Sequence, residues 1–534
     1  AGQQYADINE SAPYRFYKSK GVKPWVKGQL SLHNATKVSL SNASTTQHMV
    51  VCGTRLYASL NGDVKFTTNP YASSPTWTDC TGEPGGNVQA MATDGNDIYF
   101  AFPSDSVRKV DTSVNPAVIS NTKFVLGTHN FYILGFAKNY MFGAYDQDLR
   151  LIKSDGTHGT TPITPDDTNF RWVGVATGQN AVYAAGYSGK KSLIYKITIK
   201  TDGTLDTGVV ALELPTGEVA TAISGYLGFI LIGTNKGVRY CSTDANSNLV
   251  AGQLIPTSGA VLEFASNEKF SYFTWSNYDG VSTGLGALDL SVFTAPNTPA
   301  FATDLMYTST ADVTNVVVFA DPVTPFATKK VFTISGVGVI AEDADNLVAS
   351  GEIETGIWRW GIPDRKFIAK IDTRSTPLVG SITSYLKIDN GEYMPAGTWS
   401  VADDVENSFD GSDSKAIEAE FKYVLERGTA TTGPTFTRWM ARAYAAPFRS
   451  QVFSVPIILH ESITVRGKEY YYDVDEQQTF FDSLIESPRI ITLQIGSFTH
   501  NVILEDIVWE PVDSVGNSWS FNGTLVVTLR SVEN

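Results

Sequence analysis

A short apolar strand recurs along the first two thirds of the chain at nearly constant spacing, and no other feature restricts the possible folds as much. It reads Arg55-Leu-Tyr-Ala, Asp97-Ile-Tyr-Phe, Asn139-Tyr-Met-Phe, Ala181-Val-Tyr-Ala, Gly228-Phe-Ile-Leu, Phe270-Ser-Tyr-Phe and Asn315-Val-Val-Val. The third residues, Tyr57, Tyr99, Met141, Tyr183, Ile230, Tyr272 and Val317, are separated by 42, 42, 42, 47, 42 and 45 positions. A fixed period of roughly 20–50 residues marks a repeat architecture. A more polar strand follows each anchor, as in Val107-Arg-Lys-Val and Leu149-Arg-Leu-Ile, and an apolar stretch such as Trp172-Val-Gly-Val-Ala precedes most of them. About four strands per period predict the blades of a seven-bladed β-propeller over residues 46–350. Ala58, Ala101, Gly143, Ala184 and Ala185 beside the anchors are expected on inner strands crowded around the channel. The alternating segment Trp25 to His33, in an N-terminal arm of residues 1–45, is expected to close the ring.

The regular spacing stops near Gly351. Runs such as Ile353 to Trp360, Ile382 to Ile388, Ile417 to Leu425 and Val452 to Leu459 read as strands of an antiparallel β-sandwich over 351–460, with Asp389-Asn-Gly as a hairpin turn. The acidic stretch Asp403 to Ser414 reads as a loop. Over 461–534, Asp475-Glu-Gln-Gln478 has capping-box spacing, and Phe480, Phe481, Leu484 and Ile485 form one apolar stripe before Ser487-Pro488. This predicts a short helix on a three- or four-stranded sheet, a small C-terminal α+β module. The fold class is therefore all-β with a single minor helical element. The composition agrees: only 18% of residues are charged, against roughly 25% in an average domain, too few for coiled coils or long exposed helices.

The net charge of −15 repels a phosphate backbone, so nucleic acid is not an expected partner. No apolar run is long enough to span a bilayer, and Ala1 to Ser11 lacks the features of a signal peptide. Cys52, Cys80 and Cys241 form no disulfide framework, although pairing of Cys52 with Cys80 stays open. Phosphate-binding, dinucleotide, zinc-protease and Cys-x-x-Cys motifs are absent, and the six histidines show no ligand spacing. Acidic turns such as Asp146-Gln-Asp148 and Asp343-Ala-Asp345 lack the spacing of a calcium loop. Ser154-Asp-Gly-Thr lacks the aromatic residue of a sialidase turn. Glu263 is the one carboxylate on a candidate inner strand, whereas glycoside hydrolysis needs a pair. The chain is accordingly expected to be no enzyme and to carry no catalytic residue, metal or cofactor. Trp77, Tyr145, Trp172, Tyr187, Tyr226 and Tyr278 are the aromatics able to stack on sugar rings from blade loops.

Two local phrases narrow the reading. Glu354-Thr-Gly-Ile-Trp-Arg-Trp-Gly-Ile-Pro-Asp-Arg-Lys366, and the stretch from Tyr472-Asp-Val-Asp-Glu-Gln-Gln to Phe521-Asn-Gly-Thr-Leu-Val-Val-Thr-Leu-Arg530, resemble minor tail proteins of long-tailed bacteriophages, particularly those of actinobacterial hosts. The order of propeller, sandwich and C-terminal module resembles them too. The resemblance implies a virion component of the tail tip or baseplate, assembled in the host cytoplasm. Its partners would be copies of itself, other tail proteins and host-envelope glycan, without membrane insertion. The C-terminal modules would dock to the tail and the propeller would face the host. The alternative is a carbohydrate-active enzyme or a secreted glycan-binding propeller.

Overall fold

The computed structural model describes residues 3–4, 8–9 and 15–532, except positions 46, 61, 83–85, 104–105, 126, 128, 201–203, 325, 362, 376–378, 401–405, 408–414, 446–450 and 512–522. The predicted turn at Asn522 and most of the predicted loop Asp403 to Ser414 lie outside these residues. Among the described residues the secondary structure is almost entirely strand, with one α-helix, Val474–Glu486.

Seven antiparallel sheets follow one another from Gln47 onward. The first is Gln47–Cys52, Arg55–Leu60, Asp63–Thr67 and Thr78–Asp79; the fourth is Arg171–Thr177, Val182–Ser188, Lys191–Ile197 and Val209–Glu213. The first strand of each sheet packs beside the first strand of the next. In the seventh sheet that strand, Val313–Ala320, returns to Gln47–Cys52 and shuts the ring. The protein is a β-propeller.

The tyrosine anchors lie one strand further out than expected. Tyr57, Tyr99, Met141, Tyr183, Ile230 and Tyr272 are on the second strand of their blades, while Val317 falls on the innermost strand of the last. The slip arises in the sixth blade, whose strands Ser282–Ala295 and Thr298–Thr308 are unusually long and push the second strand of the seventh blade out to Thr328–Ile334. The small residues serve packing within a blade rather than crowding at the axis. A Cβ on Gly143 would stand 2.6 Å from the Phe131 ring and one on Gly186 2.3 Å from the Phe170 ring, so consecutive blades seat an aromatic ring over a bare backbone.

Closure also differs from expectation. The outermost strand of the seventh blade is Asn34–Ser41, paired from Ser41↔Gly338 to Asn34↔Leu347. Trp25 to His33 instead belongs to the second module: Leu32 pairs with Val22, Leu30 bridges to Phe436, and both leucines are buried there. Polar side chains favour the register of the closing strand. Asn34 Nδ2 donates to Glu342 Oε1 at 2.7 Å, Lys37 reaches Asp343 at 3.4 Å, and Trp77 Nε1 donates to the Ser39 carbonyl at 3.1 Å.

Beneath this strand lies a buried charge network. Lys330 Nζ is 2.8 Å from Asp304 Oδ1 and 3.5 Å from Glu342 Oε2, over the Tyr272 ring, and His33 Nε2 is 4.0 Å from Asp304. Burial opposes charge on Lys330, but the two carboxylates win and raise its pKa above the usual lysine range. For His33 burial wins and lowers its pKa to about 4 despite Asp304.

The second module packs two sheets around one core. Lys18–Lys20, Ser350–Glu354, Ala419–Arg427, Gly380–Ile388 and Met394–Trp399 form one sheet; Lys366–Ser375 pairs with Glu406–Asn407, Lys415–Ala416 and Phe436–Ala445 in the other. Ile353, Ile382, Phe421, Tyr423 and Leu425 meet Ile368, Ile371 and Phe436 between them, which makes it a β-sandwich. Ile417, expected to open the strand Ala419–Arg427, is 47% exposed and precedes it.

The described residues divide into two compact units, one holding propeller and sandwich, the other residues 361–367 and 444–534. In the second, Val452–Leu459, Gly523–Ser531, Phe498–Pro511 and Ile491–Ile495 form a four-stranded sheet. Val452–Leu459 was expected in the sandwich. It pairs along its full length with Gly523–Ser531 because Phe453, Val455, Ile457 and Leu459 share a core with Leu525, Val527 and Leu529. The helix covers that core with Val474 and Leu484. Its N-cap is Asp473, two residues before the expected Asp475, and its carboxylate accepts from Glu476 N at 3.0 Å.

Candidate functional site

The sandwich carries an aromatic cleft of about 470 Å³. Its wall is Trp358, Trp360, Trp439, Phe16 and Phe436, with Arg15, Arg438 and Gln29 among the polar groups. Trp358 follows the strand Ser350–Glu354 and is fixed by two backbone hydrogen bonds with Ala419, at 2.8 and 3.1 Å. Trp439 lies on the facing strand Phe436–Ala445, its ring 5.5 Å from Trp358 and nearly perpendicular to it. Phe421 and Tyr423 support Trp439 from the core at 5.3 and 5.6 Å. Trp360 has φ 52 and Gly361 φ 70, a left-handed pair that turns the chain sharply after Trp360. A bulky residue in that region is a strained outlier.

An indole wall presents flat apolar faces, and a guanidinium beside it supplies planar hydrogen-bond donors and positive charge. Arg438 makes no ion pair among the described residues; its side-chain contact is Met440 Sδ at 3.8 Å. An apolar cleft of this size with a few convergent polar groups has the form of a small-ligand site. It suits a ring with one apolar face and polar edges.

The six aromatics singled out in the sequence do not converge. Trp172 is 3% exposed, its Nε1 donating to the Gln147 carbonyl at 2.8 Å, so it is blade core and offers no surface for stacking. Trp77 is half-buried and spent on the closing strand. Tyr226 donates to the Glu268 carbonyl at 2.9 Å, and Tyr278 lies edge-on to Trp275 with Ser19 N donating to its hydroxyl at 3.3 Å. Tyr187 is a half-buried strand residue opposite Arg171. Tyr145 stacks on His129 at 4.4 Å, and His158 stands 5.2 Å from His129, a grouping of two histidines that their sequence spacing hid. Trp358, Trp360 and Trp439 went unselected. The one available signal was the side-by-side Arg and Trp at 358–360 and again at 438–439.

The propeller axis offers less chemistry. On or beside the innermost strands, His48 and Glu263 are the groups whose proton affinity is most altered. Burial lowers His48 to about 4, and its Nε2 has no hydrogen-bond partner among the described residues; burial raises Glu263 to about 7, opposed by the Phe264 N–H at 3.0 Å. They belong to the first and sixth blades and neither senses another charge, so they form no acid–base pair. Asp155 of the Ser154-Asp-Gly-Thr turn accepts from its own turn, from Thr157 N at 2.9 Å and Thr157 Oγ1 at 2.6 Å. Among the described residues no three His, Cys, Asp or Glu side chains are grouped to hold a metal ion, and Cys52, Cys80 and Cys241 are unbonded thiols.

No known family model and no curated protein sequence matches the chain. Among solved structures it is similar to virginiamycin B lyase from Staphylococcus aureus, at 10% identity and a TM-score of 0.42, over 61% of this chain and 99% of the lyase. It is also similar to the WD40 β-propeller domain of Doa1, at 10% identity and a TM-score of 0.40, over 57% of this chain and 96% of that domain. The likeness is one of propeller fold, a fold that serves enzymes and binding proteins alike.

Proposed function

We propose that this chain is a non-catalytic structural protein of a bacteriophage tail tip, in which the sandwich cleft receives a sugar of the host envelope. The resemblance of residues 354–366 and 472–530 to minor tail proteins supports the tail assignment. The sugar assignment moves from the propeller to the sandwich. It rests on one observation: three tryptophans and two arginines converge on one cleft, while the aromatics of the blades are dispersed and mostly engaged. Indole faces stack on the C–H faces of pyranose rings, and Arg438 would hold ring hydroxyls or an acidic substituent.

Titration calorimetry with purified host-envelope polysaccharide tests it. Binding should weaken at least tenfold in Trp439→Ala and in Arg438→Ala, without release of new reducing ends. Unchanged affinity in both variants overturns the cleft. Reducing ends that vanish in Glu263→Gln would favour the enzymatic alternative, with Glu263, its pKa near neutrality, as proton donor. The tail assignment is tested separately by electron microscopy of tails labelled with antibody to residues 1–340; label absent from the tip overturns it.

A further inference from the structure

Among the described residues of the C-terminal unit, two surfaces have no partner within the unit itself. One is the hairpin Ser462–Val465 and Lys468–Tyr471, which pairs with no other strand among the described residues. Arg466 with φ 52 and Gly467 with φ 79 make its tight turn, of the kind that matches the twist of two strands. An isolated two-stranded hairpin is marginally stable in water. This one nevertheless exposes Val465, Tyr470 and Tyr471, the last at 77%. Its tip is basic, Arg466 and Lys468, and among the described residues neither is in an ion pair; Lys468 lies over the Tyr470 ring at 5.4 Å.

The other surface is the outer side of the helix Val474–Glu486. Val474 and Leu484 face the sheet, which leaves Asp475, Asp482 and Glu486 along one line of the outer side; Ile485 is exposed on the flank nearer that line and Phe480 on the opposite flank. None of these acids is ion-paired among the described residues, and the last turn holds no basic residue. The helix thus offers apolar and negative groups, and the hairpin apolar and positive ones.

We propose that the occupant of each surface is the other one on a second copy of this chain: the hairpin of one copy lies along the helix of the next. The argument is charge and apolar complementarity between two surfaces of one unit. Because the surfaces differ, the contact is head-to-tail, and it closes as a ring when the rotation per copy permits. The proposal rests on the tail assignment above, for which the resemblance implies copies of this chain as partners, and is independent of the sugar part.

Sedimentation of the full chain over a range of concentrations tests it. Wild type should self-associate, more weakly at high salt. Arg466→Glu with Lys468→Glu, and separately Asp482→Lys with Glu486→Lys, should each weaken association at least tenfold. An equimolar mixture of the two double variants should restore it, since reversed hairpin then meets reversed helix. Tyr471→Ser, at an exposed position, should weaken association without altering the melting of the unit. A chain monomeric at all concentrations, association indifferent to both reversals, or a mixture that stays apart overturns the proposal. Sugar binding at the sandwich should be unchanged throughout, which separates this test from that of the cleft.

Discussion

The ring and the C-terminal unit solve the same problem differently. Both are antiparallel sheets with apolar side chains to cover. The propeller covers them within itself: seven blades pack face to face, a strand from near the N-terminus fills the last place, and even Lys330 is enclosed with its counter-ions. The C-terminal unit covers one face of its sheet with one helix and leaves Tyr471, Phe498 and Ile458 more than 60% exposed. The ring's most exposed apolar residues, Val323 and Phe326, lie together on one turn between two strands. The ring closes on itself, and the self-association proposed above falls to the unit that follows it.

Four measurements test that contrast. The largest effect belongs to deletion of residues 1–45. Calorimetry should show the propeller transition lost or shifted far down while the transition of the C-terminal unit persists; a ring that melts unchanged would mean the strand is an accessory. Acid comes next. His33 and His48 have pKa values lowered to about 4, below their ordinary 6.5, so the unfolded chain takes up their protons first. The stability they lend is complete above pH 6.5 and lost as pH falls toward 4, on the order of 3 kcal/mol for each. His33→Gln with His48→Gln should flatten that dependence in the ring and leave the C-terminal unit unaffected.

Gly338→Ala should cost on the order of 3 kcal/mol in urea unfolding of the ring. Its φ of 119 disfavours any side chain, and a Cβ there would stand 2.1 Å from the Leu40 carbonyl of the closing strand. The smallest effect is a gain. Glu263 has its pKa raised to about 7, so its stability contribution is present at acidic pH and lost as pH rises through 7. Glu263→Gln should raise the ring's stability at pH 8, by less than the ~3 kcal/mol of the full shift because the amide remains a buried polar group, and leave it nearly unchanged at pH 4.

The blades were legible because each second strand buries its aromatic or aliphatic residue at one place in the repeat, as Tyr57 and Tyr183 show. A period reports spacing, not identity of strand, and so could not tell the second strand from the innermost when the sixth blade lengthened. The closing strand was missed because Leu30 and Leu32 alternate as a strand should, yet their apolar side chains suit the sandwich core. What placed Asn34–Ser41 was a set of polar contacts with partners some 300 positions away, invisible to a local pattern. The cleft was hidden for the same reason. Trp358 and Trp439 are 81 positions apart, and only the facing of two sheets joins them.

The closing strand also sets a clock on the birth of the molecule. Asn34–Ser41 leaves the ribosome about 300 residues before its partner strand, which begins at Gly338. At roughly 5–20 residues per second the wait is roughly 15–60 s. During it six blades stack in order while Asn34–Ser41 stands unpaired. Once Gly338–Leu347 emerges, its edge is equally open to the corresponding strand of a neighbouring nascent chain. Crowded translation of one message would then yield strand-exchanged rings, and slow expression would favour the closed monomeric ring.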